Sequence, residues 1–167
     1  MALRVIALSC VVFLLSLISF AAMATSEEKC TYIVRVMTGD VKDAATDSTI
    51  SLNLNNSSGK GFTVDNLENW GIMEPGDNYF TQGRLDVFSG TGPCFSVCSI
   101  TVNSDGTGKY PGWYLDCVEI AVIGCHKRTK AAFSVNQWLF GGDGYHLYAT
   151  VNLYSGFFVL RPALSSV

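Results

Sequence analysis

Five acids fall where the chain has reason to reverse: Asp40 after Gly39, Asp43, Asp47 after Thr46, Asp77 before Asn78, and Asp105 before Gly106. Hard cations such as calcium take six to eight oxygens from carboxylates, carbonyls and amides, which is what such loops can supply. Asp, Asn and Gly are also the ordinary material of turns, so residue type alone leaves both readings open. A second set is apolar. Trp70, Ile72 and Met73 lie in the Gly- and Pro-punctuated stretch Asn69-Trp70-Gly71-Ile72-Met73-Glu74-Pro75. On a loop they can enter a bilayer or a partner's groove, or fold back as a lid on the core, since large exposed apolar patches are unusual.

Groups for covalent or acid–base chemistry are few. His126 sits beside the basic cluster Lys127, Arg128 and Lys130, and His146 lies in the last apolar run beside Tyr148. Neither belongs to a metal-ligand or nucleophile-elbow motif, so no enzyme and no catalytic residue is expected. Cys94 and Cys98 have no second ligand pair at a zinc-like spacing. Two overlapping sequons at Asn55 and Asn56 offer glycan acceptors if the chain is exported.

Export is what the N-terminus predicts. Arg4 precedes an apolar stretch over 5–20, and Ala22-Met23-Ala24 is a small-x-small cleavage signal, so 1–24 reads as a signal peptide. Its removal takes Cys10 with it and leaves Cys30, Cys94, Cys98, Cys117 and Cys125, an odd number for an oxidising compartment. What remains is roughly 140 residues, the size of one domain with a core of its own. Lys and Arg number 11 against 14 Asp and Glu, a formal net charge of −3. That balance argues against nucleic acid, which demands cations to displace counterions from phosphates.

The elements that must position these residues read as strands. Period-two alternation recurs at 32–37, 48–54, 62–64, 84–88, 99–102, 113–123, 133–135 and 145–153, each bounded by Gly, Pro, Asp or Ser clusters. No stretch sustains helical spacing; the nearest, 135–139, makes at most one turn. Eight such strands predict an all-β fold, an eight-stranded antiparallel β-sandwich. The domain is expected over 25–153, with 154–167 as a C-terminal tail whose apolar run, 157–160, is too short to span a bilayer.

Four ordered motifs carry a family resemblance. They are Cys30-Thr-Tyr-Ile-Val-Arg-Val-Met-Thr-Gly39 with Ala45-Thr46-Asp47-Ser48-Thr49-Ile50; Asp77-Asn78-Tyr79-Phe80 through Gly83, Asp86, Phe88 and Gly90; Pro111-Gly112-Trp113-Tyr114-Leu115-Asp116-Cys117-Val118-Glu119-Ile120; and Phe133 through Trp138-Leu139. Together they resemble the PLAT (lipoxygenase-homology) domain over 30–153. The cysteines at 94 and 98, with the leader, are similar to those of the stand-alone, stress-associated plant branch.

The resemblance implies a β-sandwich that mediates membrane or protein contact and, in lipoxygenases and lipases, accompanies a separate catalytic domain. It implies a monomer in the secretory pathway, endoplasmic reticulum or apoplast, with a role in abiotic-stress tolerance and growth. It also implies a calcium site at Gly39, Asp43, Asp47 and Asp77, and makes Trp70 the residue to face lipid. Calcium-dependent lipid binding is the alternative to calcium-free contact, with a lipid-modifying enzyme a distant third. The branch's bridge pattern does not carry over intact, because Tyr154 stands where a cysteine is usual and Cys117 where a polar residue is. Cys94–Cys98 as a local clip and Cys30–Cys125 as the long bridge are favoured, leaving Cys117 unpaired, with Cys30–Cys117 the competitor.

Overall fold

In a computed structural model, residues 28–153 are described, apart from Pro75 and 125–127. The expected leader and tail, Cys125 and His126 therefore lie outside the described residues.

Strict alternation makes the sheets. In β1 (Lys29–Thr38) Cys30, Tyr32, Val34, Val36 and Thr38 are buried while the residues between them face outward. The same rule puts Ile50, Leu52 and Leu54 of β2 (Ile50–Asn55) and Ile100 and Val102 of β5 (Ser99–Ser104) inside. With β3 (Gly61–Val64), β4 (Leu85–Pro93), β6 (Trp113–Ile123), β7 (Arg128–Leu139) and β8 (Tyr148–Asn152), they form two four-stranded sheets. Their orders are β4-β1-β6-β7 and β3-β2-β5-β8, antiparallel at every pairing. The eight-stranded sandwich expected from the pattern is the fold observed.

Where alternation breaks, the sheet bulges. The inward positions of β6 change from Trp113 and Leu115 to Val118, Ile120 and Val122. Both registers shift between Leu115 and Cys117: against β1, Asp116 is the extra residue, whereas against β7 it faces two residues, Val135 and Asn136, so there the extra one is on β7. Of these two, Asn136 adopts φ 51°, a left-handed conformation that asparagine tolerates better than most. The stretch 135–139 is consequently strand, and the expected helical turn there is corrected. The helical turn occurs instead at Leu67–Trp70, a 3₁₀ turn capped by Asn66, whose side-chain oxygen accepts the Glu68 N–H. The last strand is shorter than its apolar pattern, because residues 142–145 turn back, Tyr145 N–H donating to Gly142 O.

Between the sheets, Trp113, Tyr32, Phe80, Phe88 and Phe133 are the largest fully buried side chains. Phe80 stands edge-on to Trp113, and the Trp113 indole N–H donates to Thr38 Oγ1 at 3.0 Å, which satisfies a polar group that burial would otherwise leave unpaired.

The cysteines pair differently from expectation. Cys30 bonds Cys94, their Cα atoms 5.0 Å apart. The β1–β4 register explains this: Cys30 lies opposite Gly92, two residues before Cys94. Cys94–Cys98 does not form because the chain crosses between sheets over those four residues. Cys98 is already hydrogen-bonded to Asn55 of the other sheet. Among the described residues Cys98 and Cys117 are unpaired, and Cys30–Cys94 replaces the expected Cys30–Cys125 bridge and its competitor Cys30–Cys117.

Candidate contact surface at the loop end

Antiparallel pairing gathers four connections at one end of the sandwich: 39–49, 71–84, 105–112 and 140–147. They contain every acid singled out from the sequence, and their backbones are tied together. Thr46 N–H donates to Phe80 O at 3.2 Å, Tyr114 N–H to Ala44 O at 3.1 Å, and Gly83 N–H to Gly39 O at 3.1 Å.

The acids are brought to one end but not to one point. Asp47 spends both oxygens on the 105–112 loop, accepting the Lys109 N–H at 2.8 Å and the Tyr110 N–H at 2.7 Å. Those two N–H groups, Tyr110 first, hold its carboxyl below the usual range. Asp105 is held down likewise by the Thr107 N–H, and it caps Thr49 as well. Asp77 pairs with Arg84 at 3.7 Å. Gly39 already uses its carbonyl on Gly83, and the Tyr114 ring occupies the space any side chain at that position would need. Asp43, exposed at φ 63°, is the member of the set left uncommitted.

Among the described residues no three His, Cys, Asp or Glu side chains gather as a metal would require. The expected calcium set of Gly39, Asp43, Asp47 and Asp77 therefore does not fit a ready-made calcium cage, which needs several converging, unspent oxygens. Turn-making, the plainer reading of these residues, accounts for Asp47 and Asp105 in full.

Trp70 is also corrected. Its ring lies over Gly90, 6.4 Å from Tyr32 and 6.2 Å from Phe62, as a lid on the core. A Cβ on Gly90 would collide with the indole, so the glycine is what allows the ring to lie flat on β4. Met73 is half-buried, its sulfur at 2.8 Å from an Arg84 guanidinium nitrogen. Ile72 alone of the three projects, 61% exposed.

Below this surface, Asp86 is fully buried, accepting the Phe80 N–H at 2.7 Å with Arg84 Nε at 3.3 Å. Burial pushes its carboxyl up, against the lowering effect of the Phe80 N–H and Arg84.

An aromatic cleft of about 470 Å³ opens beside Asp43, with Lys109, Tyr110 and Gly112 on one side and Trp138, Phe140 and Tyr145 on the other. Sequence reading missed it, because its rings come from two turns far apart in the chain. The signal was a run of aromatics in Gly-rich turns at 110 and 138–145. His146 is exposed with its ring 5.4 Å from Tyr148 and no acid–base partner among the described residues.

At the opposite end lie the disulfide and the β2–β3 hairpin. There the Asn55 side-chain amide donates to Asn53 Oδ1. The Asn56 Oδ1 accepts from Ser58 N, Ser58 Oγ and Lys60 N.

Comparison with known proteins now bears on this architecture. The family described as Embryo-specific protein 3 (ATS3) matches residues 17–141. PLAT domain-containing protein 2 of Arabidopsis thaliana is 42% identical over 126 residues, 73% of this chain and 69% of that protein. This chain belongs to the ATS3 family of PLAT domain proteins. PLAT domain-containing protein 1 of the same plant is 38% identical over 130 residues, covering 75% of this chain and 72% of the relative.

Solved lipoxygenases share the PLAT fold. One in complex with arachidonate superposes with a TM-score of 0.54 at 20% identity over 74% of this chain, and a calcium-dependent 11R-lipoxygenase with 0.52 at 23% over 74%. The match spans only 16% and 17% of those chains, so the likeness concerns the fold alone.

Proposed function

We propose that this PLAT domain is a non-catalytic contact module of the secretory pathway, docking through its loop end on a membrane or a protein surface. One observation carries the reading. Among the described residues seven large hydrophobic side chains stand exposed; Val41, Ile72, Leu85, Tyr110, Tyr145 and Tyr148 lie on or beside the loop end, and Leu153 at the other. Exposed apolar groups are ordinary when scattered and informative when concentrated. The high coverage of the Arabidopsis PLAT proteins supports a module that acts without a catalytic domain. A role in the abiotic-stress response is the physiological setting we infer from the stress-associated branch that the cysteine pattern resembles.

Calcium is not required in this reading, since Asp47 and Asp77 are already occupied. The test is co-sedimentation of the purified chain with liposomes, in calcium and in chelator. Binding is expected in both conditions and is expected to weaken in Ile72→Ser and Tyr145→Ser. Binding that vanishes in chelator would overturn the calcium-free reading. Absence of binding in both would remove the membrane and leave a protein partner, to be sought by pull-down with the loop-end variants as controls.

A further inference from the structure

The two faces that the sandwich turns to solvent are unlike. Outside the β4-β1-β6-β7 sheet stand charges: Arg35 paired with Glu119 at 3.0 Å, and Arg128 and Lys130 of β7. Outside the β3-β2-β5-β8 sheet, none of the four strands carries a charge at an outward position. Those positions hold serine, threonine and asparagine, with Gly61 at one corner and Tyr148 at the opposite one.

Antiparallel register lines these side chains up in rows across the strands. One row runs Thr63, Asn53, Thr101, Thr150, and the next runs Ser51, Asn103, Tyr148. Neighbours in a row lie about 4.8 Å apart, the spacing of paired strands, and the rows lie about 7 Å apart, two residues along a strand. Members of a row hold one another in place. Asn53 Nδ2 donates to Thr63 Oγ1 at 2.9 Å, the Thr101 and Thr150 hydroxyls share a hydrogen bond at 2.9 Å, and Asn103 Nδ2 donates to Ser51 Oγ at 3.4 Å. Capacity is left over, since a hydroxyl offers one donor and two acceptor positions and a side-chain amide two of each. Tyr148, 51% exposed, closes the second row with an aromatic ring, the His146 ring lying 5.4 Å from it.

Complementarity of charge and of hydrogen bonding selects the occupant. A phosphate, sulfate or uronate would find no cation on this face, and an ammonium no carboxylate. A bilayer or an apolar partner would strip water from the hydroxyls and amides without replacing its hydrogen bonds. A neutral sugar polymer returns both donors and acceptors at intervals along its length, and the C–H face of a sugar ring suits the apolar body of a tyrosine. We infer that the outer face of the β3-β2-β5-β8 sheet binds a neutral glycan chain, one sugar ring lying against Tyr148 and its neighbours exchanging hydrogen bonds with Asn103, Ser51 and Thr101. This surface is distinct from the loop end, with Tyr148 the one residue common to both, so either can fail without the other.

The test is native gel electrophoresis of the purified full chain through gels containing hydroxyethylcellulose, xyloglucan or galactomannan, all neutral, or the anionic polygalacturonate. Retardation by a neutral polymer, growing with its concentration, is expected, and none by polygalacturonate. Tyr148→Ala should weaken binding about tenfold, the scale of one lost aromatic contact. Thr101→Glu should abolish it by burying a charge under the sugar, whereas Thr101→Ser, which keeps the hydroxyl, should bind like the native chain. Thermal melts establish that each variant is folded.

Vesicle sedimentation of Thr101→Glu should match that of the native chain, which separates this face from the loop end. Retardation by none of the three neutral polymers would overturn the inference, as would equal retardation by polygalacturonate. Native affinity in both Tyr148→Ala and Thr101→Glu would also overturn it, by placing the sugar elsewhere on the molecule.

Discussion

Asp47 shows how a single carboxylate fixes the shape of the loop end. It holds two consecutive N–H groups of a loop 62 residues away in sequence, and Gly108 (φ 91°) lets the backbone come against it, since a Cβ there would collide with the carboxylate. Its folded-state pKa is depressed, so its contribution to stability is present above the ordinary carboxylate value of 3.8 and is lost as pH falls through the lower folded value. Asp105 acts with the same sign. Urea unfolding midpoints measured against pH should therefore show Asp47→Asn less stable than the native chain at neutral pH. The two curves should begin to approach each other as pH falls below 3.8 and should meet only once the native carboxylate is itself protonated, below its depressed folded value. A gap unchanged across that range would mean the side chain acts by shape and not by charge. From the sequence, this residue could be read as a calcium ligand or as turn material. Nothing local distinguishes the two, because its partners lie in a loop that only the fold brings near.

At the scale of elements, strand existence was legible almost throughout, because two faces of unlike solvent exposure impose period two on the residues. It failed where the period itself fails. Over 133–139 the β7 pattern changes phase at Val135 and Asn136, two residues that face the single Asp116 of β6, and a helical turn is what the interrupted pattern resembles. That gives a direct test. Asn136→Val, forcing a β-branched residue to φ 51°, should cost about 1–2 kcal/mol in denaturant unfolding, whereas Asn136→Gly should be close to neutral. The β2–β3 hairpin gives another. Asn55 donates its amide to Asn53, but Asn56 uses only its carbonyl oxygen, in a turn with Ser58. In an exporting host, mass spectrometry should find the glycan at Asn56, lost in Asn56→Gln and kept in Asn55→Gln. The reverse result would show that the acceptor is chosen before the hairpin closes.

For the whole molecule, fold class came from patterning and family from motifs, while connectivity of the cysteines did not, since spacing along the chain carries no register. The antiparallel β1–β4 pairing decides it, closing a loop with a sequence separation of 64. In the chain-entropy account such a closure is worth roughly 4 kcal/mol. Cys94→Ser should accordingly lower unfolding free energy by about that amount, a fall that reduction of the native chain should reproduce. Cys98→Ser should change little, and a large loss there with none at Cys94 would refute the pairing. The cleft was the least legible part, for it is a property of two loops meeting and of neither alone.

The hairpin carrying Asn56 and the loops carrying the exposed aromatics stand at opposite poles of the sandwich. A label introduced at position 57 would therefore present every copy on a sensor chip with the proposed contact face toward the analyte. In the same way, a sugar chain at that pole would serve as a polar keel, leaving the opposite pole unshielded wherever the protein comes to rest.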